Sequence, residues 1–465
     1  MNKLKLPFLL FLSTLIFFSC KKDSFITSSA ATLSTDADTL SFDTVFTTVG
    51  SITQSFKIFN NNDQKLRLSE VKLSGGTSSS FKINVDGTSA AEVNDVQINA
   101  NDSIYVFVQV NVNPTASTLP FIVRDSIQIV YNGNKKFVQL QAYGQNAIFL
   151  KNKTLTGNVN WNKNLPYIII GGIQIDTNAT LNISAGTKIF LHADAPILVD
   201  GTLKAMGTKA EPVVFTGDRL DEDYRALPAS WPGIYFRGTS KNNFLKHTII
   251  KNAYQGIISQ GLSATVNPKV ILSQCILENI YDAGILGINT NMYADNCLIS
   301  NCGSNLQLQF GGDYRFINCT VASYSNNYLT HKNPVLQISN SITENGASFT
   351  APLKALFQNC IFWGDGGTVD DEIAIDKQGA DAFSVSFDHI LYKAKNEIAN
   401  ATFGSSIKSE NPMFDSIDVF KNIFDFHFKN NPTSPAVDAG TPTSFIYDLD
   451  DKKRDATPDI GCYER

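Results

Sequence analysis

Apolar and polar residues follow two different patterns along this chain. In the run Ile104–Val112, every second residue is isoleucine or valine, and shorter runs of the same kind occur between Leu40 and Gly144. An alternation with period two is typical of strands that bury one face. Asn132-Gly133 separates two such runs and predicts a tight hairpin. About seven short strands within roughly a hundred residues predict a sandwich of two β-sheets.

The second pattern is a short phrase that recurs farther along the chain, in which a polar residue and a small residue precede apolar ones. Four successive copies are 22 residues apart, at positions 275, 297, 319 and 341. A fixed period in the low twenties predicts a solenoid of stacked coils. Aligned on the small residue, the copies are Thr248, Cys275, Cys297, Cys319, Ser341 and Cys360.

The repeated phrase also predicts two internal columns. Asparagine precedes the small residue in four copies, and it tolerates the left-handed conformation of a tight turn. We therefore expect a structural ladder of stacked amides, with a row of sugar-binding amides as the functional alternative. Cysteines at the small position are expected to stack inside the rod as free thiols rather than to form disulfides. The predicted ladder residues are Asn296, Asn318, Asn340, Asn359, Cys275, Cys297, Cys319 and Cys360.

The phrases and the segments before them resemble known families. The progression through Ala179–Ile189 and Ile197–Gly207, with glycine at its turns, resembles the right-handed parallel β-helix of the pectate-lyase-like superfamily. Phe42–Gly50 and Leu140–Gly144 resemble the immunoglobulin-like segment that precedes β-helices in Bacteroidota lipoproteins and, more distantly, sandwich domains of the abnormal-spindle and hydin type. Asn431–Glu464 resembles a closing segment of secreted β-helix proteins and is expected to cap the open end.

The implied fold is therefore all-β, with an immunoglobulin-like β-sandwich at residues 39–146 followed by a right-handed parallel β-helix with a C-terminal cap at residues 147–465.

The N-terminus predicts export. Lys3 and Lys5 precede the apolar run Leu6–Phe18, which is too short to span a bilayer. Ser19-Cys20 at its end resembles a bacterial lipoprotein signal, which implies a signal peptide at residues 1–19, lipidation of Cys20 and a flexible tether at residues 20–38. The expected location is the outer membrane or cell surface, with the membrane bound through the lipid alone. An ordinary secretory signal is the alternative.

Composition narrows the partners. The 465 residues carry a formal net charge of −5 with no basic patch, so nucleic acid is not an expected partner. No cysteine pair has the spacing of a metal site, and we expect neither a metal nor a cofactor; calcium would be needed only by a lyase.

Two acidic loops are the candidates for catalysis: Asp218, Asp221 and Asp223 in one, Asp370 and Asp371 in the other. Paired carboxylates carry general acid–base chemistry in glycoside hydrolysis. Each cluster lies within one loop, however, whereas the active sites of this superfamily collect residues from adjacent coils. Charge runs in loops are usually solvated.

The sequence therefore favours a non-catalytic role in binding a glycan or another surface component, or in adhesion. A polysaccharide lyase or hydrolase is one alternative, and convergence of carboxylates with a lysine or arginine from different coils would support it. A scaffold that binds surface proteins through its sandwich is another, and an exposed apolar patch on that unit would support it.

Overall fold

The computed structural model describes residues 24–47, 51–114, 120–222, 224–430 and 433–465. The chain divides between Asn146 and Ala147 into two compact units. Within the described residues no helix has the length and apolar character needed to cross a bilayer. Cys20 lies outside these residues.

The first unit is a β-sandwich of two five-stranded sheets, with strand orders β1-β3-β8-β5-β6 and β2-β10-β9-β4-β7. Its strands are β1 (Leu33–Thr35), β2 (Thr39–Phe46), β3 (Gln54–Asn60), β4 (Leu66–Leu73), β5 (Phe81–Val85), β6 (Thr88–Ser89), β7 (Glu92–Ile98), β8 (Ser103–Val110), β9 (Phe121–Tyr131) and β10 (Asn134–Gln145), with a short 3₁₀ helix at Gly76–Ser78. The alternation in β8 buries Ile104, Val106 and Val108 between the sheets. Asn132 and Gly133 both have positive φ in the β9–β10 hairpin, as a type I′ turn requires.

The predicted flexible tether was wrong for its described part, residues 24–38. Strand β1 pairs antiparallel with β3. Ala31 is buried in the sandwich core, and Ile26 and Leu33 pack against that core. Apolar residues spaced through this Ser/Thr-rich stretch therefore hold it on the sandwich, although its composition is that of a linker.

The second unit is a parallel β-helix, so the predicted all-β fold of a sandwich followed by a β-helix is confirmed. Twenty-six of its described strands form one continuous network, and four others form two separate hairpins. The strands of this unit are β11 (Ile148–Leu155), β12 (Asn158–Trp161), β13 (Tyr167–Ile175), β14 (Thr180–Ser184), β15 (Lys188–Leu191), β16 (Ile197–Val199), β17 (Thr202–Met206), β18 (Val213–Gly217), β19 (Ile234–Phe236), β20 (Asn243–Lys246), β21 (Thr248–Lys251), β22 (Ile257–Gln260), β23 (Val270–Ser273), β24 (Ile276–Glu278), β25 (Ala283–Asp295), β26 (Leu298–Ser300), β27 (Ser304–Ile317), β28 (Thr320–Tyr324), β29 (Leu336–Ser339), β30 (Ser341–Glu344), β31 (Ala347–Thr350), β32 (Leu353–Gln358), β33 (Ile361–Asp365), β34 (Ile373–Asp376), β35 (Phe383–Asp388), β36 (Ile390–Tyr392), β37 (Thr402–Phe403), β38 (Ser406–Lys408), β39 (Phe414–Asp418) and β40 (Ile423–Phe428).

Each coil passes in turn through three sheets, which we call A, B and C. Sheet A contains β15, β18, β21, β24, β26, β28, β33, β36 and β38. Sheet B contains β16, β19, β22, β29, β34 and the first parts of β25 and β27. Sheet C contains β14, β17, β20, β23, β32, β35, β37 and the second parts of β25 and β27.

Inward-facing residues stack from coil to coil because the strands are in register. In sheet C the column ends in four phenylalanines, Phe316, Phe357, Phe387 and Phe403, whose ring centroids are separated by 5.5, 5.1 and 4.9 Å in turn. Cys275, Cys297, Cys319 and Cys360 form another column at the corner between sheets C and A, and all four are buried free thiols. Burial raises the pKa of the Cys297 and Cys360 thiols, because the thiolate is desolvated there.

The residue before each of these small residues has positive φ, which explains the asparagines. The column contains His247, Gln274, Asn296, Asn318, Asn359 and His389, with φ between 40° and 53°. Some hydrogen bonds connect neighbours within the column, and others leave it. Asn359 Nδ2 donates to Asn318 Oδ1 at 2.9 Å within the column and to the Thr441 carbonyl at 2.7 Å outside it.

Asn340 does not belong to this column. Strand β28 pairs directly with β33, so Cys319 is followed by Cys360 in the stack. Ser341 begins an antiparallel hairpin, β30–β31, that is inserted within the coil, between β29 and β32. Asn340 instead exchanges hydrogen bonds with Gln378, donating to its carbonyl and accepting from its N–H. The 22 residues from Cys319 to Ser341 therefore do not form a complete coil.

The described residues from 414 to 465, here called the C-terminal segment, also differ from the predicted end cap, since they pack along the outer face of sheet A. Phe426, Ile460 and Tyr463 form one apolar cluster with Leu298, Ile361 and other outward residues of that sheet. Sheet A has apolar outward positions in its later coils, and the segment removes them from water. It contacts coils far apart in sequence, from Lys209, which pairs with Asp450, to Asn359, whose carbonyl accepts from Gly461.

Arg454 anchors this segment. Its guanidinium donates to Asn296 Oδ1, to the carbonyls of Asp459 and Gly461, and to Glu464 at 3.0 Å, with both charged side chains buried. Asp448 accepts from the N–H groups of Asp450, Lys452 and Glu464. These charged residues are thus used inside the segment.

Candidate functional site

A cleft of about 560 Å³ lies on the outer face of sheet A, beside the C-terminal segment. Its floor is made by outward residues of β15, β18, β21 and β24, including Lys188, Lys251 and Glu278. One wall is the loop between β18 and β19, through Leu220 and Arg225. The opposite wall is the β39–β40 hairpin, through Asn422 and Phe424.

Lys251 and Glu278 lie side by side in this floor. They are register partners on adjacent coils, β21 and β24, and both point outward because they alternate with the buried Ile250 and Leu277. Burial in the floor of the cleft raises the pKa of Glu278, and the Lys251 ammonium opposes that rise only in part.

The charge of the cleft is opposite to that of the chain. Lys188, Arg225 and Lys251 face one carboxyl group, Glu278, whereas the whole chain has a net charge of −5. Within the described residues, neither lysine forms an ion pair, and Arg225 has only an exposed contact of 3.9 Å with Glu222. The cleft therefore attracts anions.

A row of asparagines at the corner between sheets A and B holds the cleft in shape. Asn279 Nδ2 donates to Asn252 Oδ1 at 2.8 Å and to the Ala226 carbonyl at 2.7 Å, and Asn252 Nδ2 donates to the Arg225 carbonyl at 2.7 Å. The row fixes the loop that forms the wall to the floor. These amides are a second ladder, in which Asn301 is the next member.

The acidic residues predicted from the sequence are engaged within or near their own loops. Asp218 bonds to His192 at 2.8 Å, and Asp221 forms a two-point pair with Arg219 at 2.8 and 3.0 Å. Arg219 also lies over the Tyr224 ring, 3.8 Å from its centroid. Asp223 lies outside the described residues.

The carboxylates of the second predicted acidic loop are likewise bound by nearby residues. Asp370 forms an exposed pair with Lys395 at 3.3 Å. Asp371 accepts from the N–H groups of Lys395 and Asn396, and these hydrogen bonds lower the pKa of its carboxyl group. The structure does not bring these two residues into the cleft. In the described part of the chain no group of three or more potential ligands could hold a metal ion.

The side chains of the predicted asparagine and cysteine columns are also not accessible to a ligand. Asn296, Asn318 and Asn359 are buried under the C-terminal segment, and the four cysteines are in the core.

Lys251 and Glu278 were missed by the sequence reasoning, although the repeat carried the signal. Lys251 lies three positions after Thr248, and Glu278 lies three positions after Cys275. Comparing the third residue after the small residue in successive copies would have placed a lysine and a carboxylate on neighbouring coils. The walls carried no such signal, because both come from segments outside the repeat.

The exposed apolar patch expected of a scaffold is small. Tyr105 and Phe107 stack on the outer face of β8, with centroids 5.7 Å apart, and are 45% and 43% exposed. Ile122 and its register partner Tyr143, with Phe137, are exposed on the other sheet, so the unit has two small apolar groups rather than one patch of the roughly 800 Å² per partner of a stable protein interface.

In the comparison with known proteins, one family model matches part of the second unit. Residues 153–263 match the model of the pectate-lyase-like β-helix domain, in agreement with the predicted superfamily. A search of curated proteins found no match.

Three solved structures are similar to parts of this chain. The catalytic unit of a GH87 alpha-1,3-glucanase from Streptomyces thermodiastaticus is 8% identical, with 76% of this chain and 88% of that chain covered and a TM-score of 0.18. A family 123 glycoside hydrolase from Clostridium perfringens is 10% identical, with 25% of this chain and 26% of that chain covered and a TM-score of 0.19. A PapD-like domain of human CEP192 is 10% identical, with 26% of this chain and 89% of that chain covered and a TM-score of 0.18. Identities and TM-scores this low do not indicate an activity for this chain.

Proposed function

We propose that this protein binds an acidic polysaccharide in the cleft on sheet A, as a lipid-anchored protein of the outer membrane or cell surface. The observation that carries the binding proposal is the excess of cations in a cleft of a negatively charged chain. Carboxylate or sulfate groups of a sugar chain would pair with Lys188, Lys251 and Arg225. The Phe424 side chain in the wall offers an apolar surface to the sugar ring. The lipid anchor rests on Ser19-Cys20 and the apolar run before it.

Replacing Lys251 with glutamine is expected to weaken binding of oligogalacturonate about tenfold, as the loss of one charge-assisted hydrogen bond does. Isothermal titration calorimetry on the full chain in detergent measures this. Lys204→Gln, at an exposed position of sheet C, is the matched control and should bind as the unaltered chain does. Equal affinities for the two variants, or no binding of any acidic polymer, would exclude the proposal.

Cleavage of the same polysaccharide is a second candidate, favoured by the raised pKa of Glu278 beside Lys251. A carboxyl group with a raised pKa can protonate a leaving oxygen near neutral pH. Among the described lining residues Glu278 is the only acid, which disfavours a two-carboxylate hydrolysis. In an elimination, the Lys251 amine in its neutral form would take the proton next to the uronate carboxylate. The electrons of that C–H bond would form a C=C bond as the C–O bond to the leaving sugar breaks, and the leaving oxygen would take a proton from Glu278.

If the protein cleaves, Glu278→Gln is expected to lower the rate about a hundredfold or more, because general acid catalysis contributes this much. Mass spectrometry of oligogalacturonate products gives the rate and the reaction, since elimination adds no water and hydrolysis adds one per cut. The control is Glu344→Gln, in the exposed β30–β31 hairpin. Binding without any product would eliminate this second candidate and leave the binding proposal intact.

A further inference from the structure

Two tyrosines stack on the surface of the β-helix, each two residues after Asn252 or Asn279 in the asparagine row that borders the cleft. Tyr254 and Tyr281 have ring centroids 5.5 Å apart and planes inclined by 23°. Their side chains stay 46% and 51% exposed despite this contact. Exposed parallel rings are the surface on which the C–H face of a sugar packs. We propose that they form a binding site for a neutral polysaccharide, independent of the acidic-glycan cleft.

The position of the rings follows from the register of three coils. The Tyr281 N–H donates to the Ala253 carbonyl, and the Gly303 N–H donates to the Ile280 carbonyl. Tyr254, Tyr281 and Gly303 therefore occupy the same position of successive coils, about 4.8 Å apart. A Cβ at Gly303 would clash with the Tyr281 carbonyl oxygen, so no side chain, and hence no ring, fits at this position of the coil. The stack of rings ends at Tyr281.

Neutral amides follow on the coils next to the rings. Gln307 and Gln337 are register partners on the outward face of sheet B. Gln337 Nε2 donates to Ser304 Oγ at 3.1 Å, and Gln309 Nε2 donates to Gln307 Oε1 at 3.3 Å. A primary amide has two donor hydrogens and two acceptor lone pairs. Beyond these hydrogen bonds, each glutamine amide has further donor hydrogens and lone pairs that sugar hydroxyl groups can use.

The charge beside the rings selects a neutral ligand. Asp282 follows Tyr281 and accepts from Gln255 Nε2 at 2.7 Å, and Gln255 in turn accepts from the Tyr235 hydroxyl at 3.4 Å. A polyanion would be repelled by this carboxylate, whereas sugar hydroxyl groups would not be. Gln307 lies four residues after Gly303, so the chain of a neutral polysaccharide would cross the coils obliquely, over the tyrosines and then toward the glutamines.

Titration of the full chain in detergent with cellohexaose, maltohexaose and mannohexaose tests this site. We expect at least one of the three to bind, with Tyr281→Ala or Tyr254→Ala weakening that binding about tenfold, as removal of a stacking ring does. Tyr281→Phe keeps the ring and should stay within about twofold of the unaltered chain. Tyr447→Ala removes an exposed ring of the C-terminal segment and should have no effect.

The results separate this site from the cleft. Lys251→Gln should leave binding of the neutral oligosaccharide unchanged. Failure of all three probes to bind, or an equal loss in Tyr281→Phe and Tyr281→Ala, would overturn the stacking site. Neither result would bear on oligogalacturonate binding in the cleft.

Discussion

Replacing Phe357 with alanine is expected to lower the free energy of unfolding of the β-helix by about 3–5 kcal/mol, the range for a buried phenylalanine. Phe357 is a fully buried ring in the middle of the sheet C column. Phe316 and Phe387 stack on its two faces at 5.5 and 5.1 Å, and Phe362 meets it edge-on at 5.4 Å. These neighbours belong to three coils, so the cavity cannot close without moving several strands.

Thermal and urea denaturation followed by circular dichroism measure this effect. Phe357→Leu keeps most of the buried volume and should cost less than half as much. A solenoid can unfold in parts, so the two variants are best compared by the first transition that loses β signal. A loss below about 1 kcal/mol in Phe357→Ala would contradict the close packing of the column.

Replacing Arg454 with methionine is expected to cost about 3–5 kcal/mol, because it leaves a buried carboxylate without its partner. Glu464 would keep its contacts with the N–H groups of Asp455 and Asp459 but lose the guanidinium at 3.0 Å. Asn296 Oδ1 and two backbone carbonyls would also lose their donor. The predicted result is release of the C-terminal segment at a lower temperature than the coils unfold.

Limited proteolysis over a temperature series measures this release. Arg315→Met, at an exposed position of β27, is the matched control and should leave the cleavage pattern unchanged. If Arg454→Met resists cleavage as well as Arg315→Met does, the buried ion pair does not hold the segment.

The sequence predicted the parts of the fold that local pattern determines. The alternation around Val106 and the recurrence of Cys275, Cys297 and Cys319 each follow from one buried side of a strand or coil. The copy at Ser341 carries the same phrase but forms a hairpin, because Ala347–Thr350 pairs back on it before a coil is completed. Pairing between distant segments is not visible in the phrase itself.

The candidate site was harder to predict for a related reason. The acidic loops stood out by composition, yet Asp221 and Asp371 are satisfied by neighbours such as Arg219 and Asn396. Glu278 is one carboxylate with no charged residue within three positions of it in the sequence. Its pKa is raised by burial in the folded coils, and its partner Lys251 lies 27 residues earlier. Such a site is defined by stacking and by long-range packing, which composition does not report.

The C-terminal segment sets the order in which this molecule can be completed during synthesis. Most contacts of a solenoid are local, so early coils can stack as they leave the ribosome. Lys209 and Asp450, however, are 241 residues apart, and Gln274 and Asp451 are 177 apart. Contacts of this separation form slowly. Asn422 and Phe424 complete the cleft only when nearly the whole chain has been made, so a nascent or truncated chain would present stacked coils without a complete cleft.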